Sequence, residues 1–327
     1  MKKLLGSLNR NLVIAVPVMM LAGFAFGLVV EASFLKRLII PFTFLMVYPM
    51  MVTLKISKVL EGGDGRAQLL AQLINFTLIP FAAFALGRLF FPQQPFLALG
   101  LLLAALVPTS GMTISWTGFA GGNLAAAVKM TVIGLILGSL ATPLYVQALM
   151  GTQVEIRLAD IFGQIVLIVF LPMAAGYCTR RLLVHNYGQQ GFQKDWAPRF
   201  PAVSTIGVLG IVFIALALKA RGIAAAPEIL PKILLPLLLL YLFNYLLSTL
   251  LGRVLLPRGD AIALVYGTVM RNLSIALAIA INAFGSAGSD AALVIALAYI
   301  VQVKSAAWYV RLTDRVFGPQ PACSPSS

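Results

Sequence analysis

The stretch AALVPTSGMTISWTGFAGGN (104–123) decides the fold, because Pro108, Gly111 and several hydroxyl side chains interrupt a long apolar segment. A second stretch, YGTVMRNLSIALAIAINAFG (266–285), is interrupted in a similar way around Arg271. Membrane helices break where side-chain hydroxyls or amides can satisfy the backbone groups that the break frees. Both stretches therefore predict broken membrane helices, although Pro108 and Gly111 are also compatible with an ordinary kink.

The composition predicts an all-α integral membrane protein. Of the 327 residues, 60% are hydrophobic and only 10% are charged, and the mean hydropathy is +0.96. Windows of about 20 apolar residues mark the candidate spans. These spans lie near 11–30, 35–56, 68–91, 95–120, 123–148, 160–182, 201–220, 230–256, 261–284 and 289–312.

The distribution of basic residues predicts that both termini lie in the cytoplasm. The net charge is +14, and most of the excess falls in loops and span ends on the side that holds the N-terminus. No basic face with interleaved aromatic residues indicates a nucleic-acid partner. We expect a bacterial inner (plasma) membrane protein in contact with lipid, with a cytoplasmic linker at 184–200 between spans six and seven and a disordered tail at 318–327.

Ten spans can form two inverted five-helix repeats, since an odd number of spans inserts each half in the opposite sense. Residues 1–183 would contain the first repeat and span six, which starts the second, and residues 201–317 the remainder. The broken spans four and nine then occupy corresponding places in the two halves. Such discontinuous helices point to a substrate site near the midplane of the bilayer.

Three basic residues, Lys129, Arg271 and Lys304, fall inside predicted spans, whereas all ten carboxylates lie near span ends or in loops. A charge at bilayer depth costs several kcal/mol and usually faces a cavity or a substrate path. Lys129 could instead be interfacial and Lys304 could snorkel to the membrane surface. Arg271 is mid-span and stays charged, so we expect it to attract a small anion and to replace a coupling cation. Proton coupling would use Lys129 or Lys304, since burial disfavours the charged form of a lysine side chain and so allows it to release and take up a proton.

The motifs PTSGMTISWTGFAGGN (108–123), LMVYPMMVTLK (45–55), INFTLIPF (74–81) and MRNLSIALAIA (270–280) resemble the bile acid:sodium symporter superfamily, and within it the arsenical-resistance efflux permeases. The resemblance implies ten helices in two inverted repeats, divided into a panel and a core domain, with helices four and nine unwound and crossing at the substrate and cation sites. It covers nearly the whole chain.

Through this resemblance, Thr109, Ser110, Asn272 and Ser274 would face the substrate beside Arg271. Asn123 and Thr131 would lie near the crossing, together with Pro108, Gly111, Lys129 and Lys304. Asn272 could alternatively bond across helices. No metal or cofactor is predicted.

Two departures from the family pattern concern the chemistry. The arsenite permeases carry a soft cysteine ligand after the proline of span four and a glutamate in span nine, where this chain has Thr109 and Ser274. The sodium-coupled members carry an acid and a glutamine that align with Gly267 and Arg271. A guanidinium at that position would repel sodium.

Three function classes remain open. The first is a secondary transporter that exports a small anion or oxyanion as an antiporter, without sodium. The second is a sodium-coupled symporter of an organic anion such as a bile acid. The third is a non-transporting membrane sensor. An enzyme is not expected, because the spans contain no His/Asp/Glu cluster and no nucleophile beside a base.

Overall fold

The computed structural model describes residues 12–53, 64–152, 154, 158–285 and 287–319. Every regular element in these residues is helical. The α-helices are α1 (Leu12–Val29), α2 (Ile39–Thr53), α3 (Gly65–Leu73), α4 (Ile79–Phe90), α5 (Pro95–Leu106), α6 (Gly111–Phe119), α7 (Leu124–Met150), α8 (Leu158–Ile165), α9 (Leu171–Gly191), α10 (Phe200–Ala225), α11 (Ile229–Leu255), α12 (Arg258–Val269), α13 (Leu273–Phe284), α14 (Gly288–Val310) and α15 (Thr313–Phe317). Short π-helical and 3-10 segments join several of them: Ala32–Leu38, Ile74–Leu78, Val166–Phe170, Phe192–Trp196 and Ala197–Arg199.

Six helical segments in the described residues are long and apolar enough to cross a membrane: Ala32–Thr53, Gly65–Phe90, Leu124–Met150, Ile161–Ala225, Ile229–Leu255 and Gly288–Val310. Three further apolar helices are shorter, namely Ile14–Val29, Pro95–Leu106 and Leu273–Phe284, and breaks divide the predicted spans 95–120 and 261–284. The segment Ile161–Ala225 includes the predicted spans six and seven. The chain is an integral membrane protein, and the count of ten spans stays a prediction.

The predicted linker at 184–200 is helical in the structure. It continues α9 and then passes through Phe192–Trp196 and Ala197–Arg199 into α10. Gly188 interrupts the run with φ 69°, a left-handed conformation that glycine adopts without strain. Of the predicted tail, residues 320–327 lie outside the described residues.

Helices α1, α2, α9 and α10 pack together as one group, which we call the helix layer. Helix α10 lies along α1 and α2, and α2 also contacts α9. Glycines allow α1 to approach α10 closely, since a Cβ atom added at Gly23 would lie 2.4 Å from the Phe213 carbonyl oxygen. At Gly27 the same test gives 2.1 Å to the carbonyl oxygen of Ala217. Small residues with this spacing favour close backbone contact between membrane helices.

Helices α4–α7 and α11–α14 form the second group, the crossing bundle. Within it α5 packs against α4 and α14, and α12 packs against α7 and α11. Residues such as Leu99, Leu264 and Ile295 are fully buried in this group. Large apolar side chains such as Leu89 and Leu246 are exposed on its surface. An apolar surface around a buried core fits a protein whose solvent is lipid.

We expect Gly27→Ala to destabilise the helix layer by about 1–3 kcal/mol, because the added methyl group must displace the α10 backbone. The matched control is Gly222→Ala on α10, where no atom lies within 4 Å of the added Cβ. Thermal unfolding of the detergent-solubilised variants measures the difference. Equal midpoints for the two variants would contradict this packing argument.

Candidate functional site

The two broken helices meet at their breaks. Helix α5 ends at Leu106 and α6 begins at Gly111, while α12 ends at Val269 and α13 begins at Leu273. Pro108 and Arg271 pair as an isolated antiparallel bridge. The Asn272 backbone N–H donates to the carbonyl oxygen of Val107 over 2.8 Å. The breaks predicted from sequence therefore lie side by side, and we call this place the crossing.

Helix α7 supports the first break from behind. Gly134 and Gly138 leave room for residues 108 and 109. A Cβ atom added at Gly134 would lie 2.6 Å from Thr109 Oγ1, and one added at Gly138 would lie 2.6 Å from Pro108 Cδ. Thr109 has φ 64°, a left-handed conformation that is strained for a β-branched residue. Its hydroxyl donates towards carbonyl oxygens of Pro108, Met130 and Thr131 at 2.6, 3.3 and 3.2 Å.

Thr109, which was predicted to face the substrate, does not line the open side of the crossing in this structure. The side chain is fully buried and its hydroxyl is directed to the α7 backbone. The unusual φ angle turns the side chain from the open side of the crossing. Thr131 meets Thr109 through its carbonyl oxygen, while its own hydroxyl donates to the Ala127 carbonyl at 2.7 Å.

Polar N-cap residues begin both half-helices at the crossing. Ser110 Oγ accepts from the Met112 N–H at 3.3 Å, and the Ser110 N–H donates to Thr113 Oγ1 at 3.2 Å. On the other side, Asn272 Oδ1 accepts from the Ile275 N–H at 3.3 Å. Each cap satisfies amide groups that a helix start leaves free. The positive ends of the α6 and α13 dipoles therefore converge here.

Gln302 on α14 clamps the second break. Its Oε1 accepts from the Arg271 backbone N–H at 2.8 Å, and its Nε2 donates to the Arg271 carbonyl at 3.2 Å. The hydroxyl of Tyr241 donates to the same Oε1 at 2.9 Å. Gln302 was not predicted as a site residue, although an amide side chain within an apolar helix is a signal that could have identified it.

Arg271 is buried at the crossing, with 3% of its surface exposed. Its terminal nitrogens Nη1 and Nη2 have no hydrogen-bond partner among the described residues. The residue borders a small void beside Tyr241 and Asn244 and also a larger cavity on the open side. Within the described part of the chain, no carboxylate neutralises this guanidinium.

The larger cavity, which we call the crossing cavity, has a volume of about 380 Å³ and lies between the helix layer and the crossing bundle. Predicted site residues that line it are Ser110, Gly111, Arg271, Asn272 and Ser274. The hydroxyls of Ser274 and Tyr299 are 2.5 Å apart. The amide nitrogen Nδ2 of Asn272 has no hydrogen-bond partner among the described residues. The cavity therefore combines hydroxyl and amide groups with the unpaired cation.

The remaining predicted residues lie away from this cavity. Asn123 caps α7 by accepting from the Ala125 and Ala126 N–H groups, and its Nδ2 donates to Asp260 Oδ1 at 2.7 Å. Asn123 thus lies at the start of α7, eight residues before Thr131, which corresponds to about 12 Å along the helix. Lys304 is exposed on α14. Lys304 thus lies on an exposed face, as its snorkelling alternative requires, and Asn123 lies away from the crossing, where it was expected.

Lys129 is buried, and a carboxylate neutralises it. Its Nζ lies 3.3 Å from Asp64 Oδ1 and 3.1 Å from Oδ2, and the two side chains are 4% and 8% exposed. Asp64 immediately precedes α3, so its sequence position at a span end was expected. Its burial against α7 was not. Among the described lysines and arginines, only Lys129 and Arg271 are buried.

The fold and the site define an integral membrane protein with a polar, cationic cavity at two broken helices. Among the described residues, no three His, Cys, Asp or Glu side chains gather as a metal site. The family model described as Sodium Bile acid symporter family matches residues 40–226, which is more than half of the chain. The chain belongs to this family, whose members are transporters and not enzymes.

Relatives within the family carry different names. The arsenical-resistance protein Acr3 of Alkaliphilus metalliredigens is 26% identical over 56% of this chain and 55% of its own length. The uncharacterized transporter slr0944 of Synechocystis is 24% identical over 86% of this chain and 82% of its own length. The sodium/bile acid cotransporter 7 of Xenopus tropicalis is 26% identical over 45% of this chain and 42% of its own length.

We expect Lys129→Met to destabilise the protein by about 3–5 kcal/mol, because it leaves the Asp64 carboxylate buried and unpaired. The double variant Lys129→Met/Asp64→Leu removes both charges and should recover more than half of this loss. Thermal unfolding in detergent compares the variants. A double variant that is less stable than Lys129→Met would contradict the expectation that an unpaired Asp64 carboxylate causes the loss.

Proposed function

We propose that this protein is a secondary-active transporter of a small anion or oxyanion and that its transport is not coupled to sodium. The observation that carries this proposal is the buried Arg271 guanidinium, which lacks a carboxylate partner among the described residues. A bound anion would supply the missing negative charge. Burying a cation is costly unless it is paired, so a site of this kind favours an anionic ligand.

The surroundings of Arg271 support the same ligand class. The N-termini of α6 and α13 add positive dipole ends at the crossing. Ser110, Ser274 and the unpartnered Asn272 Nδ2 can donate hydrogen bonds to an anion in the crossing cavity. We propose these residues, together with Arg271, as the substrate site.

Electrostatics argues against sodium at the crossing. A cation about 4 Å from the guanidinium would cost on the order of 4 kcal/mol at an effective dielectric constant of about 20. One or two neutral oxygen ligands do not offset that cost. In the proposed cycle Arg271 therefore takes the place of a coupling cation.

We further propose that the protein has ten spans in two inverted repeats, with both termini in the cytoplasm. The paired breaks, each followed by a polar N-cap, support corresponding roles for α5–α6 and α12–α13. The helix layer and the crossing bundle would then be the panel and core domains that the family resemblance implies. By the same resemblance we propose a location in a bacterial inner membrane, with residues 184–200 on the cytoplasmic side.

The names of the relatives suggest a direction of transport and a substrate, and we propose both on that basis. The name of the Acr3 relative suggests arsenical efflux, and export by proton antiport is the form that we propose. Proton coupling, if it uses a buried group, would involve the Lys129–Asp64 pair and not the exposed Lys304. The name of the cotransporter 7 relative supports the alternative, a sodium-coupled organic-anion symporter.

Transport assays in proteoliposomes test the coupling. Radiolabelled arsenite and a panel of organic anions are offered while sodium and pH gradients are imposed separately. We expect a flux that follows the pH gradient and is unchanged when potassium replaces sodium, because Arg271 repels a second cation. Organic-anion flux that requires sodium would refute this proposal and favour the symporter. A complete lack of flux would favour a membrane sensor.

The variant Arg271→Gln tests the role of the guanidinium. We expect it to reduce anion flux more than tenfold, because it removes the charge that compensates the substrate, and to allow sodium dependence. Arg271→Lys retains the charge and should keep part of the flux. The control Arg253→Gln changes an exposed arginine on α11 and should leave flux unchanged. Normal flux in Arg271→Gln would make Arg271 a structural residue.

A further inference from the structure

A second cavity of about 490 Å³ lies between the helix layer and the crossing bundle, away from the crossing. The same five helices, α1, α2, α10, α13 and α14, contribute residues to both cavities. On α10, Val208 lines the crossing cavity and Ala215 lines the second cavity. Seven helical residues span about 10 Å. The two cavities therefore lie at opposite ends of one interface.

Helix α14 also passes both cavities, but its chain runs from the second cavity to the crossing cavity. Tyr299 lines the crossing cavity and Ala292 lines the second cavity. Residues between the two cavities include Met46, Ile211 and Ile295, which are fully buried. Apolar packing thus closes the interval between the cavities, and the five helices define one path with a closed middle.

The second cavity is cationic. Its charged lining residues are Glu31, Lys36, Lys219 and Arg221. Lys219 is neutralised by Asp290, whose Oδ1 lies 2.7 Å from the Lys219 Nζ. Lys36 and Arg221 form no ion pair within the described residues. Lys36 and Arg221 therefore face a single lining carboxylate, Glu31, and the cavity carries one excess positive charge when Asp290 is included.

We propose that the second cavity is an anion vestibule, in which Lys36 and Arg221 attract a small anion to the end of the path opposite Arg271. A cleft lined by charge of one sign concentrates ions of the other sign. The identification of this cavity as part of the transport path rests on the proposed function. Its selectivity for anions does not, because that property follows from the lining charges alone.

Cysteine modification measures this selectivity without knowledge of the substrate. In a Cys178→Ser/Cys323→Ser background, Ser289→Cys places a thiol in the second cavity and Ser115→Cys places one in the crossing cavity. The probes are two membrane-impermeant methanethiosulfonates, one with an ethylsulfonate group and one with an ethyltrimethylammonium group. The quantity compared is the ratio of the anionic to the cationic modification rate.

Neutralisation of Lys36 and Arg221 to glutamine should lower this ratio about tenfold at Ser289→Cys, since it removes the charges that attract the anionic probe. The ratio at Ser115→Cys should not change, and high salt should reduce the effect at Ser289→Cys. The charge-conserving variant Lys36→Arg/Arg221→Lys should keep the original ratio. An unchanged ratio in the double glutamine variant, with the thiol still reactive, would overturn the vestibule.

The side of access tests the path separately. In membrane vesicles of known orientation, the Ser289→Cys thiol should react with probe added on one side and the Ser115→Cys thiol with probe on the other. Reaction of both thiols from a single side would refute the claim that the two cavities open to opposite sides of the membrane. A normal flux in Arg271→Gln would refute the proposed role of Arg271, and a complete lack of flux in the wild-type protein would refute the proposed transport, yet either result would leave the rate ratio at Ser289→Cys unaffected. The two failures can therefore be told apart.

Discussion

The backbone pairing of residues 107–108 with residues 271–272 holds the site together. A break in a membrane helix frees N–H and C=O groups that lipid cannot satisfy. Here each break supplies partners to the other, and Gln302 satisfies both backbone groups of Arg271. The two N-caps begin new helices on either side. The site thus depends on both breaks at once, because neither would be satisfied alone.

This pairing also explains how a charged residue is held at depth. Arg271 is fixed through its backbone, so its guanidinium is not needed to hold the crossing together and stays without a partner in the described residues. The other buried cation, Lys129, is in the opposite situation, since Asp64 neutralises it. A buried charge without a partner destabilises a protein more than a buried ion pair does. The difference is physical support for a ligand at Arg271 and a structural or proton-linked role at Lys129.

The breaks were predictable because they depend on local chemistry: Pro108, Gly111 and the polar residues around Arg271 disfavour a continuous apolar helix. The partners were not, because they depend on contacts between distant parts of the chain. Gln302 and Lys304 show the limit within one helix. They are two residues apart and so lie on different faces, and the structure buries the amide and exposes the amine. Sequence reasoning selected the charged residue of the two, and only helix packing reveals which face is inside.

The proposed transport requires the helix layer and the crossing bundle to move relative to each other, and each group is held together by close contacts of its own. Glycine contacts bind α1 to α10 within the layer, and backbone pairing makes the crossing one unit. Lys219 and Asp290 connect the two groups beside the second cavity, with side chains 25% and 37% exposed. An exposed ion pair contributes about 0–1 kcal/mol. Its loss would therefore cost little, whereas separation within either group would break close packing or leave backbone groups unsatisfied.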